Sequence, residues 1–291
     1  MVQFARLFSP GSIGLMEVKN RLVMAAMGTF TGDEQGYPKD NAFDYYVARA
    51  EGGVGLIISG AVCILWEGRR PGRWSLHDDK YIPRLRQLSQ AVHDRGGKMA
   101  IQLIHHGMTH AHTRSAYGAG EIDLVGPSAV PSAMYGIAPR EATKEDIRRL
   151  VEGFSDAARR IKDAGFDAVE FHGAHGHLIS EFLSPFTNRR SDEYGGSPER
   201  RARFACEIIE RTREKVGPDF PILFRMNGSD YLDGGLTIDQ ALRQAPLLVQ
   251  AGADALHVSA SAKETTPWQF LCHYFPEGAI THLAQEVKKV V

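Results

Sequence analysis

The chain has 291 residues, 43% hydrophobic and 24% charged, with 34 basic and 35 acidic side chains and a formal net charge of −1. That composition provides ample material for a large core, and its balance argues against nucleic acid or a membrane surface as a partner. The three cysteines, Cys63, Cys206 and Cys272, are widely spaced with no CxxC pair, which argues against a disulfide framework or a thiolate metal site and fits a reducing compartment.

The N-terminal stretch Met1–Arg6 carries no apolar h-region, so no signal peptide is read there. No apolar run reaches the ~18 residues of a membrane helix, and a cytoplasmic protein is the expectation. Ser12–Lys19 reads as a small β-hairpin closing the bottom of a barrel. Near-continuous apolar runs then predict strands at Arg21–Met27, Val54–Ala61 and Lys98–Ile104, the pattern of strands covered on both faces. His105–Pro139 is long, rich in Gly, Ser and Pro, and has no helical period; a loop of that length in a compact domain is usually a functional excursion, here a lid or hairpin over the site.

Thr143-Lys-Glu-Asp146 resembles a capping box and opens a helix with Ile147, Leu150, Val151, Phe154, Ala158 and Ile161 on one face, ending at Gly165. A strand follows at Ala168–His172. Ser197-Pro198 starts the next helix, which Gly217-Pro218 stops. Strands at Ile222–Met226 and Ala255–Ser259 flank a helix that begins at Thr237-Ile-Asp-Gln240 and ends at Gly252. A last helix covers Ile280–Val291.

Three segments share one grammar of helix, Gly-containing turn and buried strand: Glu51-Gly-Gly-Val-Gly-Leu-Ile-Ile, Ala164-Gly-Phe-Asp-Ala-Val-Glu-Phe and Ala251-Gly-Ala-Asp-Ala-Leu-His-Val. Repeated turns of this kind imply an α/β fold with a parallel sheet and right-handed crossovers. An open doubly wound sheet and a barrel both satisfy the pattern, but no GxGxxG follows the first strand. Gln102, His105, His172 and Arg225 all sit at C-terminal ends of strands, the distribution of a TIM-type (β/α)8 barrel. Six strands are legible, and a seventh would begin at roughly the last residue. Either the native polypeptide continues past Val291 or another piece closes the barrel.

The chain has 12 histidines, and many fall in two clusters: His105, His106, His110 and His112, then His172, His175 and His177. In His172-Gly-Ala-His175-Gly-His177 the glycines allow a tight turn at the end of strand four. Three imidazoles there can bind a metal, hold a substrate oxygen or donate protons near neutral pH. The bland alternative is a set of loop histidines satisfied by backbone carbonyls. A zinc or iron site fits the spacing, but no carboxylate is obviously paired with it. Arg225, between apolar neighbours, needs an anionic partner: Glu170 or Asp230 in a structural role, a bound anion in a functional one. The charges of Glu181–Arg203 read as scaffolding that ties loop to helix start.

At these residues the chain resembles the old yellow enzyme superfamily of FMN-dependent oxidoreductases. Within it the nearest branch is that of 2,4-dienoyl-CoA reductases, 2-enoate reductases and trimethylamine dehydrogenase. The resemblance runs through Leu7-Phe8-Ser9-Pro10, Lys19-Asn20-Arg21, Gln102-Leu103, Pro127-Ser128 and Ala164–Gly176, and then Phe182-Leu-Ser-Pro and Asn188-Arg-Arg-Ser-Asp-Glu-Tyr-Gly-Gly196; the last two together are very specific. It implies one FMN-binding barrel domain over 1–291, incomplete at its C-terminal end, with 105–139 as insertion. Ala25, Ala26, Met27 and Gly28 would line the isoalloxazine, with Ala61 behind strand two. Gln102 would bond the pyrimidine edge, and Arg225 would face N1 and stabilise the anionic reduced ring. No metal is implied within these residues. The longer relatives carry an iron–sulfur cluster and a second flavin domain after the barrel, so a 4Fe-4S cluster and FAD enter only if the chain extends beyond 291.

The implied activity is an ene-reductase. NADH or NADPH reduces the flavin, and hydride passes to the β-carbon of a small α,β-unsaturated carbonyl or enoyl compound. His172 and His175 polarise the carbonyl oxygen, and His177 protonates the α-carbon. A homo-oligomer is the expected assembly. Three positions depart from the pattern: His177 where many relatives have tyrosine, Gly28 where several have Thr or Cys, and Met108 in place of a common arginine. The rival readings are an amine dehydrogenase of the same family and, prompted by the missing strands, a ligand-binding barrel without catalysis. The lid and the loop Ala260–Pro276, with His273 as a candidate, would shape the substrate pocket.

Overall fold

The computed structural model describes residues 4–66, 70–110, 123–132 and 136–291. His112 and two stretches of the predicted lid therefore lie outside the described residues. In chain order the strands are β1 (Gly11–Ile13), β2 (Met16–Val18), β3 (Val23–Met24), β4 (Leu56–Ile58), β5 (Val62–Cys63), β6 (Met99–Ile104), β7 (Val125–Gly126), β8 (Arg140–Glu141), β9 (Ala168–Gly173), β10 (Ile222–Ser229) and β11 (Ala255–Ala260). The helices are α1 (Asp40–Glu51), α2 (Ile82–His93), α3 (Lys144–Asp163), α4 (Leu178–Leu183), α5 (Pro198–Val216), α6 (Ile238–Gln250), α7 (Pro267–Phe270) and α8 (Thr281–Val287).

The main sheet runs in the order β11-β10-β9-β6-β4-β3, with β5 also on β6. These six strands are the six legible in the sequence. The ladders are parallel: Val23 faces Leu56, Ile57 faces Met99, and Ala100 faces Ala168. Parallel strands joined through helices follow the β-helix-β grammar read from the Ala-Gly turns. The N-terminal hairpin forms where expected, with Gly11 opposite Val18 in an antiparallel pair.

Two predicted strands are shorter than their apolar runs. The run from Arg21 to Met27 pairs only at Val23–Met24. Before it, Asn20 diverts backbone groups into local bonds, its amide giving to Gly53 O at 2.8 Å and its Oδ1 taking Leu22 N–H at 3.1 Å. The run from Val54 to Ala61 breaks at Ser59-Gly60 into β4 and β5. A Cβ at Gly60 would meet Met27 O at 2.3 Å, so the chain passes too close to the 25–28 segment for any larger residue.

Helix starts follow their sequence signals. Thr143 and Asp146 form the reciprocal cap: Asp146 N–H donates to Thr143 Oγ1 at 3.1 Å, and Thr143 N–H donates to Asp146 Oδ2 at 2.8 Å. Thr237 accepts from Gln240 N–H at the start of α6, and Gly165 (φ +81°) ends α3 in the left-handed region.

By contacts the chain divides into two compact units. The first holds residues up to Ile104 with Gly153–Phe171 and Thr212–Leu223. Its core includes fully buried Tyr46, Ile57, Leu88, Phe154 and Phe171, with the two phenylalanine rings edge to face at 5.9 Å. The second holds His105–Glu152, His172–Arg211 and Phe224–Val291, and packs Phe182 against Phe204 at 4.4 Å between ring centres.

Candidate active site

The histidine loop belongs to the second unit and is buried. His172 is 5% exposed, His175 0% and His177 7%. The His172 ring lies edge to face with both others, 5.1 Å from His175 and 4.8 Å from His177. The turn is made by two consecutive positive-φ residues, His175 (φ +62°) and Gly176 (φ +66°). A non-glycine there is uncommon and signals a locally constrained position. Gly173 serves a different need: a Cβ on it would meet the Phe224 ring at 2.4 Å.

His175 is anchored by residues of β10 and β11. Its Nε2 lies 2.7 Å from Ser259 Oγ, and Arg225 Nη2 reaches the same oxygen at 3.4 Å. Its backbone N–H points to Asn227 Oδ1 at 3.4 Å. Burial, reinforced by His172 and Arg225, holds His175 well below the usual histidine pKa, so the ring is neutral. Ser259 accepts from Arg225, and its hydroxyl can either donate to Nε2 or accept from it; the donating arrangement puts the imidazole proton on Nδ1. That Nδ1 is buried and makes no hydrogen bond among the described residues.

His177 stands at the N-cap position of α4 without a side-chain capping bond, and its Nδ1 lies 3.2 Å from Thr109 Oγ1. The Thr109 hydroxyl donates its only hydrogen to His106 O at 2.5 Å, so it accepts from His177. The loop after β6 is thereby tied to the histidine loop. Leu178 N–H donates to His105 O at 3.1 Å, and the His106 ring lies 5.3 Å from that of His177. Burial, and then His110 and Arg149, push His105 down to about 3. Among the described residues no three His, Cys, Asp or Glu side chains converge to hold a metal ion.

Sequence reasoning missed several residues here. Glu181, read as part of a scaffolding segment, is 1% exposed and accepts Met108 N–H at 2.9 Å. Burial raises its carboxyl well above the usual range, and the Met108 bond and Lys263 oppose that only in part. Ser259 was legible as a polar strand end, the same signal that marked Gln102 and Arg225. Asp230 engages neutral donors: Ser184 Oγ at 2.6 Å, Asn227 Nδ2 at 2.8 Å and Leu236 N–H at 2.8 Å. The rest of the Glu181–Arg203 segment is scaffolding as expected. Asn188 bridges Phe182 O and Tyr194 O, both at 2.7 Å, and Arg190 binds Ala142 O at 2.8 Å.

The first unit holds the other candidate residues. Ala25, Met27 and Gly28 are exposed and Ala26 is half-buried, so the segment after β3 presents a strip of small side chains and one methionine. Ala61 is buried beyond β4. Gln102, 2% exposed, donates its amide to Glu170 Oε1 at 2.7 Å. That bond fixes the side chain and leaves its carbonyl oxygen as an acceptor, while the Gln102 backbone N–H donates to Ser59 Oγ at 3.3 Å. Tyr46 OH accepts Gly60 N–H at 3.0 Å behind the strip.

Residues 6–269 match the family described as NADH:flavin oxidoreductase / NADH oxidase. An NADH oxidase from Thermoanaerobacter brockii is 44% identical over 294 residues, covering 100% of this chain and 44% of the relative. An NADPH dehydrogenase from Geobacillus sp. (strain WCH70) is 42% identical over 261 residues, covering 88% of this chain and 73% of its own length. Among solved structures, a 2-naphthoyl-CoA reductase in complex with 2-naphthoyl-CoA superposes with a TM-score of 0.91 at 32% identity, over 99% of this chain and 45% of that one. The chain thus spans less than half the length of two of these three relatives. The fold is α/β, of the β/α-barrel type of these enzymes.

Proposed function

We propose, from the premise that the chain belongs to the NADH:flavin oxidoreductase / NADH oxidase family, that it is an FMN-dependent ene-reductase. On this reading NADH or NADPH is the electron source, and the C=C bond of a small α,β-unsaturated carbonyl or enoyl compound is reduced. The observation that carries the reading is the neutral, buried His175, held by Ser259 with its Nδ1 unengaged among the described residues.

The residues fit a flavin. The strip Ala25–Gly28 is open and nearly free of bulk, Gln102 is fixed with an acceptor to spare, and Arg225 offers a cation. Bound FMN supplies hydride transfer, chemistry that no side chain here performs. Ala25, Ala26, Met27, Gly28 and Ala61 would form the surface against the ring, and Gln102 would bond its pyrimidine edge. Arg225 would oppose the negative charge of the reduced ring. His175, with its proton on Nδ1, and His172 hold the substrate's carbonyl oxygen and draw charge from the double bond. A neutral donor suits that task, because it polarises without first losing a proton to solvent.

His177 gives the proton to the α-carbon. With Nδ1 committed to Thr109, the proton leaves from Nε2 of the imidazolium. The test is His177→Phe in the FMN-loaded protein, with the two half-reactions timed separately. Reduction by NAD(P)H keeps its rate, and enone reduction slows by about a hundredfold, within the usual range for a general acid. Unchanged enone turnover removes His177 from the mechanism.

A further inference from the structure

His177 and Thr109 belong to different loops, and one bond joins their side chains, Nδ1 to Oγ1 at 3.2 Å. Thr109 is fixed within its own turn: its N–H and its hydroxyl both donate to His106 O, at 3.1 and 2.5 Å. Those two bonds set Thr109 relative to His106, but not the place of the 3-10 turn Gly107–His110 against α4. Two other bonds do that. Leu178 N–H donates to His105 O at 3.1 Å, just before the turn. Within the turn, Met108 N–H donates to Glu181 Oε1 at 2.9 Å.

Glu181 is bonded into this arrangement at both of its ends. Its backbone N–H donates to His177 O at 2.8 Å, one helical turn along α4, while its carboxyl holds the residue next to Thr109. Bonds and chain close a ring through His177, Thr109, Met108 and Glu181. The turn is shaped to receive the carboxyl. Gly107 has φ +56°, and a Cβ there would meet Glu181 Oε2 at 2.5 Å with Oε1 nearer still. From the lid, a Cβ on Gly126 of β7 would meet Oε2 at 3.3 Å. Two glycines thus flank a side chain that is 1% exposed. Oε2 makes no hydrogen bond among the described residues. A carboxyl buried with one oxygen unbonded is costly as packing material; what it contributes is the acceptor for Met108.

Resting on the reading of His177 as proton donor, we propose that Glu181 is a positioning residue for it: by holding the turn that carries Thr109 against α4, Glu181 keeps the Thr109 hydroxyl on His177 Nδ1. Which nitrogen of an imidazole carries its hydrogen is set by the bond the other nitrogen makes. Thr109 accepts, so Nδ1 keeps its hydrogen. Nε2 is then the nitrogen that both gives up the proton and takes the next one.

The experiment follows the His177 ring by nitrogen NMR of protein with labelled histidine, its signals identified as those lost in His177→Phe, and times the two half-reactions of the FMN-loaded chain. In the wild type the neutral ring carries its hydrogen on Nδ1. Glu181→Met keeps the bulk and removes the acceptor. The ring is expected to lose its Nδ1 preference, and enone reduction to slow about tenfold while reduction by NAD(P)H keeps its rate. Glu181→Gln retains an acceptor and both wild-type readouts. Gly107→Ala leaves Glu181 in place but drives the turn off it, so it gives the same two changes even if Glu181→Met fails to fold. In a Thr109→Val background Glu181→Met has no further effect on enone reduction. A wild-type tautomer in Glu181→Met and in Gly107→Ala, or an effect of Glu181→Met that persists undiminished without the Thr109 hydroxyl, overturns the proposal. A tautomer that shifts as expected beside unchanged enone turnover in His177→Phe upholds the positioning and overturns instead the reading of His177 as donor.

Discussion

Ser259 Oγ and His175 Nε2 form a 2.7 Å hydrogen bond between side chains that are 4% and 0% exposed. The bond couples the end of one strand to the loop that follows another, and when Ser259 donates it the His175 proton sits on Nδ1. Ser259→Ala strands a buried nitrogen, so stability to urea falls by about 1–3 kcal/mol. The tautomer is also freed, and kcat/KM for an enone falls by about tenfold, the upper range for one neutral hydrogen bond. A variant with wild-type stability and turnover would show that the pair orients nothing.

Two buried histidines set a pH limit on the fold. His105 is pushed down to about 3, and His175 lies well below 6.5. Between those folded values and the ordinary ~6.5 of the unfolded chain, the unfolded state binds protons that the folded state refuses. Stability therefore rises with pH across that window and is lost as pH falls below about 6.5, by up to ~1.4 kcal/mol per pH unit for each ring. Urea denaturation from pH 7 to pH 4 is expected to show a smaller slope in His105→Gln than in the wild type. Parallel slopes would mean that His105 takes its proton in the folded state.

Glu181 acts in the opposite sense. Its folded pKa is raised well above 4.5 by burial, so the folded chain retains a proton that the unfolded chain has released. The stability it contributes is complete below about 4.5 and is lost as pH rises toward the folded value. Glu181→Gln keeps an oxygen for Met108 N–H and has no proton to lose. Its stability relative to wild type should grow from pH 5 to pH 8, by at most ~1.4 kcal/mol per pH unit. Glu181→Ala instead leaves that buried N–H without an acceptor and is destabilised by about 1–3 kcal/mol at every pH. A pH-independent difference between Glu181→Gln and wild type would place an ionised carboxylate in the folded protein.

The six parallel strands and the caps at Thr143 and Thr237 were legible because period and end signals are local. The break at Ser59-Gly60 was not, since it depends on how near Met27 O comes to residue 60, a contact between distant segments. The histidine loop was legible as a cluster, and the glycines correctly marked the turn. What the sequence withheld was direction. Nothing in the one-dimensional pattern pairs His175 with Ser259 or His177 with Thr109. Glu181 was read as one charge among many in a charged segment, and only its burial distinguishes it.

The most direct test of the central claim is anaerobic double mixing of the FMN-loaded protein. In the first mix NADH or NADPH should bleach the visible flavin band at a saturable rate. In the second, 2-cyclohexenone should restore it, with one equivalent of saturated ketone formed per flavin. A band that NADH and NADPH both fail to bleach, or that bleaches and is not restored by any enone while oxygen restores it readily, contradicts the assignment of this site to C=C reduction.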